Sequence, residues 1–473
     1  MRFNTLVQTR HKTVNRAGGE AFVQEPKLAL ASLILTSFIQ DQFYRSASGQ
    51  VQELVHRIEA LPDKQFAAKA AVFARNEYGM RSISHVVAGE IAARVKGQPW
   101  TRAFFDRVVR RPDDVTEILS YYLATHGKPV PNALKKGLGQ ALTRFDSYQV
   151  SKYRGERTAL SLVDAVNLVH PKHTDALGAL VRGTLQPAAT WEVKLTQAGQ
   201  AADKADAKRE AWTELIRARK LGYFALLRNL RNILEQAPEV LEEALSMLVD
   251  ERLIRKTLVL PFRFATAIEE LGKTAHPRTT EVLQALNRAL DVSLANVPRF
   301  AGRTLVVLDG SGSMRGRPLQ IGSLFAAVMV KANVADLVVF SNDAKYVGVN
   351  PEDTTLTIAE VIRGKAPFGG TNFHAPIDLV AQHGRAYDRL IFLSDMQGWI
   401  GYDVPTATLA AYEQRVGVRP HVYSFDLQGY GSTQFPRDRI YCLTGFSEKT
   451  FEVMQVLEQD RNALVRQIEA VEL

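Results

Sequence analysis

The chain has 473 residues, of which 46% are hydrophobic and 23% charged, with a formal net charge of +9. That length calls for roughly two to four folding units, and the composition excludes a mostly disordered chain. A single cysteine, Cys442, placed between Ile440 and Phe446, excludes an internal disulfide framework or thiolate zinc site, fits a reducing cytoplasm and reads as a buried filler.

In chain order, the polar N-terminus lacks an apolar signal core, and the apolar run Leu28 to Ile39 is too short to span a bilayer, so it is predicted to be a buried helix. From about Lys27 to Val297 apolar residues recur at helical spacing. Examples are Leu54, Ile58 and Leu61, then Ile83, Val86, Val87 and Ile91, then Leu134, Leu138 and Leu142, then Leu226, Leu227, Leu230 and Ile233. Pro62, Gly79, Gly97 to Pro99, Pro112, Gly127 to Pro131, Pro171, Pro187, Pro238, Pro261 and Pro277 stand between such stripes and stop helices after a few turns. Short helices punctuated this way predict stacked helical pairs, an α-solenoid with a concave face or closed into a ring. Residues 1–300 carry 43 Lys and Arg against 31 Asp and Glu, net +12, whereas residues 301–473 carry 16 against 19, net −3. All the excess positive charge therefore belongs to the first part, where it suits either a polyanion partner or a solvated basic surface.

The pattern changes at Arg303. Thr304 to Asp309 reads as a buried strand, followed by a Gly/Ser loop and an amphipathic helix from about Pro318 to Lys331; further strands are predicted at Ala335 to Phe340, Arg389 to Ser394 and Pro420 to Phe425. Alternating elements of this kind predict a doubly wound α/β domain with a mostly parallel sheet. The predicted fold is thus α followed by α/β, with domains at 1–300 and 301–473.

The loop Asp309-Gly310-Ser311-Gly312-Ser313 follows the first of these strands, where ligands gather beyond strand carboxyl ends. One carboxylate and two hydroxyls spaced by glycines are hard oxygen donors suited to Mg²⁺ or Mn²⁺. The loop lacks the spacing of a dinucleotide fingerprint, and neither serine fits a Gly-x-Ser-x-Gly elbow. It resembles the metal-ion-dependent adhesion site (MIDAS) of von Willebrand A domains, with Gly369-Gly370-Thr371 and Leu393-Ser394-Asp395 as the second and third parts in order. The resemblance implies one divalent ion, with Ser311 and Ser313 as direct ligands, Thr371 direct or through water, and Asp309 and Asp395 neutralising it partly through waters. It also implies an open position for an acidic group of a partner.

Upstream, Lys152 to Arg157 (KYRGER) and Leu162 to Lys172, which ends His170-Pro171-Lys172, resemble the TROVE RNA-binding domain of the Ro family. Further matching pieces are Gly18-Gly19 with Phe22, Leu134-Lys135-Lys136, Ala225 to Leu230, and Pro261-Phe262 with Ala265 and Ala267, so the resemblance covers almost all of residues 1–300. It implies a ring of HEAT-like repeats closed by the A domain, in a monomeric cytoplasmic ribonucleoprotein. The RNAs implied are small noncoding Y-like RNA on the outside and misfolded or single-stranded RNA ends in the hole. Carried over by position, the RNA-binding candidates are Lys135, Lys136, Lys152, Tyr153, Arg154, Arg157, His170 and Lys172. Cations would meet phosphates, and Tyr or His would stack on unpaired bases. Paired lysines also form ordinary wet helix faces, His170 sits where a helix end needs a cap, and Tyr153 reads as core. The dispersed histidines and the lack of a phosphate loop point away from catalysis. The family further implies a scaffold or chaperone role in RNA quality control, with polynucleotide phosphorylase as a partner of bacterial relatives. The competing expectation is a metal-dependent protein-adhesion scaffold.

Overall fold

The computed structural model describes residues 12–14, 18–22, 26–36, 47–154, 159–188, 190–401, 405–427, 440–444, 450–459 and 463–473. Its contacts divide the chain into two compact units. The first is Met1–Ala188 with Ser394–Ala407 and His421–Leu473; the second is Ala189–Leu393 with Thr408–Pro420. Each therefore takes part of the helical region and part of the sheet region. Among the described residues no helix is long and apolar enough to cross a membrane.

In the first unit, helices end where the punctuation predicts. Lys64–Asn76 runs out ahead of Gly79, Ser82–Arg94 ahead of Gly97, and Pro112–His126 at Gly127, all three glycines having positive φ. The stripes at Ile83, Val86, Val87 and Ile91, and at Leu134, Leu138 and Leu142, are buried. Lys64–Asn76 packs on Ser82–Arg94, which packs on Pro112–His126, while Thr101–Arg107 packs on Asn132–Leu142. The last pair touches closely: a β-carbon at Gly137 would stand 2.5 Å from Phe105 Cβ and 2.6 Å from the Arg102 carbonyl oxygen. The predicted Leu28 to Ile39 helix is observed as Pro26–Thr36, with Leu28 to Ala31 and Leu33 to Leu35 buried.

Two short strands precede it, β1 (Lys12–Val14) and β2 (Glu20–Phe22), antiparallel with Lys12 opposite Phe22; the sequence reading contained neither. The helix Ala463–Glu469 packs on both Pro26–Thr36 and Lys64–Asn76. Three cations meet its C-terminal end. Lys69 Nζ donates to the Glu469 carbonyl oxygen at 2.6 Å, Arg107 Nη1 to that of Glu472 at 2.6 Å, and Lys27 Nζ to Glu469 Oε1 at 2.7 Å. Cations there complement the unsatisfied carbonyls of a helix terminus.

The second unit has its own core, built on Trp212, Leu226, Leu230, Ile233, Leu248, Phe264, Leu286 and Leu290. Pro261 is the first residue of the Pro261–Leu271 helix, which packs on Thr279–Ser293. Beyond residue 300, β3 (Thr304–Asp309) lies between β4 (Asp336–Phe340) and β6 (Arg389–Ser394), parallel to both, and β5 (Ala344–Tyr346) is antiparallel on β4. Every residue of β3 and β6 is buried, as expected for strands covered on both faces. The predicted amphipathic helix spans Arg317–Asn333. In the first unit β7 (His421–Asp426) and β8 (Ile440–Thr444) run parallel, with Val422 opposite Ile440. The sequence reading lacked β5 and β8, and the predicted burial of the Cys442 side chain lies outside the described residues.

The first unit is built around a buried anion. Asp114, fully buried, is the third residue of the Pro112–His126 helix and accepts the backbone N–H groups of Arg110 and Arg111 at 2.9 and 3.0 Å. Its carboxylate also receives Arg75 Nη2 at 2.8 Å, His85 Nε2 at 2.9 Å and Arg81 Nε at 3.3 Å. Burial alone would push its pKa up, but the His85 hydrogen bond and charge, the Arg75 charge and the Arg110 N–H hold it well below the usual carboxylate range. A carboxylate with a depressed folded-state pKa contributes stability that is complete above the unfolded value near 3.9 and is lost as pH falls below it. Asp114→Asn should therefore lower the stability of the first unit by about 3–5 kcal/mol at neutral pH and flatten the acid limb of a urea-midpoint profile below about pH 4; an unchanged midpoint would refute the assigned role.

Candidate nucleic-acid interface and candidate metal centre

Lys135 and Lys136 stand on the Asn132–Leu142 helix, Lys135 half-buried and Lys136 exposed, with Leu134, Leu138 and Leu142 turned into the core. Gly139, one turn further along, lies against the chain leaving the Leu162–Val169 helix. A β-carbon there would be 3.3 Å from the Val169 carbonyl oxygen and 3.4 Å from Pro171 Cα. The helix that carries the two lysines thus meets, at its backbone, the turn that carries His170 and Lys172. His170 caps that helix in the left-handed region, φ 50° and ψ 64°, donating its N–H to the Val166 carbonyl oxygen at 3.0 Å. A β-carbon in this region costs roughly 1–2 kcal/mol. His170 does cap the helix, and it is exposed all the same, as is Lys172.

Lys152, exposed, ends the Ser147–Lys152 helix, which packs on the Asp175–Val181 helix just beyond Lys172. Tyr153 is half-buried, with the Arg111 guanidinium 4.1 Å from its ring centroid and Lys152 Nζ at 5.5 Å. Arg111 is itself tied to Asp113 at 2.7 and 2.9 Å. One face of the Tyr153 ring is therefore already covered by a fixed cation. Arg154 is half-buried and its carbonyl oxygen accepts the Leu162 N–H at 3.0 Å. Arg157 lies outside the described residues. Sequence reasoning missed Arg111 and Gly139; an isolated glycine inside a helical pattern was the available signal for the latter.

In the second unit, Asp309 ends β3 fully buried, and its Oδ1 accepts the Ser311 N–H at 2.8 Å. Ser311 is buried and Ser313 exposed, with their hydroxyl oxygens 3.3 Å apart. Backbone bonds sew this loop to a second one: Phe368 N–H donates to the Gly310 carbonyl oxygen at 2.7 Å and Gly312 N–H to that of Gly369 at 2.9 Å. Only glycine fits at 310, where a β-carbon would stand 2.8 Å from Pro367 Cδ and 3.0 Å from Ala366 Cα. Thr371 is buried on the second loop. A third loop, after β4, holds the second: Asn342 Oδ1 accepts the Gly370 N–H at 2.8 Å, and Asn372 Nδ2 donates to the Asn342 carbonyl oxygen at 3.0 Å.

Asn342 is a positioning residue the sequence reading did not contain; its place just past a strand carboxyl end was the usable signal. Asp309, Ser311, Ser313 and Thr371 are thus gathered on adjoining loops. Asp395, in the first unit, follows β6, is buried, and accepts the Gln397 N–H through Oδ1 at 3.2 Å. Among the described residues no group of three or more His, Cys, Asp or Glu is placed to hold a metal ion, so an ion on these loops would rest largely on hydroxyl oxygens. The close hydroxyl pair beside a buried carboxylate is a donor set that fits a small hard cation.

Residues 23–180 and 170–301 match the TROVE domain, and residues 303–457 match the Ro60 vWA domain. RNA-binding protein RO60 of Deinococcus radiodurans is 28% identical over 174 residues, covering 35% of this chain and 32% of that protein. Telomerase protein component 1 of Rattus norvegicus is 23% identical over 347 residues, covering 54% of this chain and 13% of that protein. The matched stretches thus span well under two thirds of either relative. The crystal structure of Deinococcus radiodurans RO (RSR) protein superposes with a TM-score of 0.65 at 20% identity, covering 91% of this chain and 99% of that one, which is a likeness of fold. With both family matches in sequence order, the chain belongs to the Ro60 family of proteins that join a TROVE domain to a von Willebrand A domain.

Proposed function

We propose that this protein is a non-catalytic RNA-binding protein that holds small structured RNA of the Y type and misfolded or single-stranded RNA ends, acting as a scaffold or chaperone in cytoplasmic RNA quality control. The observation that carries this reading is the close backbone approach at Gly139, where the helix that bears Lys135 and Lys136 meets the turn that bears His170 and Lys172. It is supported by the net +12 of residues 1–300 and by a relative described as RNA-binding. Lysines at such a rim neutralise phosphates and release counterions, while an imidazole held clear of its helix is available to stack on an unpaired base. Tyr153, already covered by Arg111, has a supporting role in this reading. Delivery of RNA ends to an exoribonuclease such as polynucleotide phosphorylase follows from the family resemblance.

The second part of the proposal is one Mg²⁺ or Mn²⁺ ion held by Ser311, Ser313 and Thr371 with Asp309, all four in the second unit. The ion would supply an electrophilic anchor for an acidic group. Asp309 and the loop contacts through Gly310 and Asn342 keep the hydroxyls in place before it arrives.

Binding of a small hairpin RNA should weaken steeply with salt, and Lys136→Ala with Lys172→Ala should reduce the slope of log affinity against log salt by about 1.5–2; an unchanged slope, or tight protein association without RNA binding at low salt, would favour the adhesion scaffold. His170→Ala should reduce affinity for single-stranded RNA while leaving that slope in place, since stacking releases no counterions. Mg²⁺ should raise the thermal midpoint, by an amount equivalent to about 2.7 kcal/mol at a hundredfold excess over Kd. Asp309→Ala should abolish that rise and the exposed Ser313→Ala should reduce it. A rise that persists unaltered in both removes the metal assignment.

A further inference from the structure

A cleft of about 500 Å³ in the second unit lies between the first half of the Lys204–Arg217 helix and the end of the Tyr223–Gln236 helix. Lys204, Ala205, Lys208, Arg209, Glu235, Gln236 and Pro238 line it. Two of its charges are already spoken for: Arg209 pairs with Asp206, and Glu235 has Arg231 Nε at 3.9 Å. Lys204 and Lys208 are different. Neither has a hydrogen-bond or ion-pair partner among the described residues, yet they stand four apart on one helix face, where like charges repel.

Gln236 adds a donor. The Trp212 indole N–H, which can only donate, meets Gln236 Oε1 at 3.1 Å, and this fixes the amide with its NH₂ as the remaining polar group. Asp203 caps the first turn of the helix, accepting the Ala205 and Asp206 N–H groups at 3.1 Å each. The donors that line the cleft are therefore side chains: two ammonium groups, one carboxamide and the guanidinium of Arg209, whose charge is already paired with Asp206.

We infer that this cleft binds a phosphate monoester, with Lys204 and Lys208 as its counter-charges and the Gln236 amide as a neutral donor. Two uncompensated positive charges match a monoester, which carries about −1.5 to −2 near neutral pH, better than a phosphodiester link with its single charge. The same chemistry is offered by a free nucleoside 5′-monophosphate and by the 5′-phosphorylated end of an RNA strand. The cleft's residues are separate from the candidates around Gly139, so this inference stands or falls independently of the RNA reading above.

The test is calorimetric titration of the full chain with adenosine 5′-monophosphate, adenosine, inorganic phosphate, and one oligouridylate made with either a 5′-phosphate or a 5′-hydroxyl. Adenosine 5′-monophosphate should bind and adenosine should not. Lys204→Gln with Lys208→Gln should weaken binding by about tenfold or more, while the exposed Lys256→Gln, outside the cleft, should leave it unchanged. The exposed positions of Lys204 and Lys256, and the half-exposed Lys208, make loss of folding a poor explanation of any effect, and the thermal midpoint of each variant checks this. A preference for the 5′-phosphorylated strand that vanishes in the double variant identifies an RNA end as the source. Binding of the mononucleotide with no preference between the two strands identifies a free metabolite. Absence of monophosphate binding, or binding that the double variant retains, overturns the inference. Equal affinity for both strands without mononucleotide binding overturns it too and leaves ordinary phosphodiester contact elsewhere on the surface.

Discussion

A buried carboxylate in the first unit must be matched by positive groups from every element around it, and the Asp114 cluster meets that demand with three helices at once. Arg75 comes from the end of one, Arg81 and His85 from the start of the next, and the N–H groups of Arg110 and Arg111 from the turn that opens the third. No one of these contacts is strong in water; together, out of it, they leave no cheap alternative arrangement of the three helices. Glu90 repeats the device one layer on, buried and reached by Tyr121, His126 and Arg94. Apolar stripes make the helices pack, and these anions specify how. Stripes of Leu, Ile, Val and Ala tolerate sliding, whereas a carboxylate with five partners does not.

The candidate sites are then placed by contacts between backbones. At Gly137 the helix that carries Lys135 and Lys136 lies against Phe105 and the Arg102 carbonyl, and at Gly139 against the main chain of Val169 and Pro171. At Gly310, Gly312 and Gly369 the hydroxyl-bearing loops are joined by N–H to carbonyl bonds, and Asn342 braces them from a third loop. Flexible side chains at the surface thus inherit the precision of rigid supports, which is what a site needs if it is to meet its ligand without first reorganising.

What could be read from the sequence was what is local along the chain. The strand TLVVLD and the loop after it announce themselves because a fully buried parallel strand is a continuous apolar run and the donors follow it immediately. Helix ends at Gly79, Gly97 and Gly127 were legible for the same reason. Contacts between distant positions were not: Asn342 and Gly370 are 28 residues apart, and Asp114 and Arg75 are 39 apart. Nothing in the neighbourhood of Asp114 distinguishes it from the partly buried Asp113 beside it, which pairs with Arg81 and Arg111, and only the tertiary fold decides which of the two is fully enclosed. β5 escaped notice because a three-residue edge strand with half-exposed side chains carries almost no periodicity. Tyr153 was legible as an aromatic but not as the platform beneath Arg111.

The three cations that hold the Ala463–Glu469 helix make the assembly of the first unit a matter of timing. Lys27 and Glu469 are 442 residues apart, so at ribosomal rates of about 5–20 residues per second the partner of Lys27 emerges about 20–90 seconds later. Throughout that interval the faces of Pro26–Thr36 and Lys64–Asn76 that will receive this helix, rich in Leu, Ile and Ala, have no cover from it. The uninterrupted stretch Ala189–Leu393 of the second unit is complete well before then. During synthesis, Pro26–Thr36 is therefore made long before the helix that covers it.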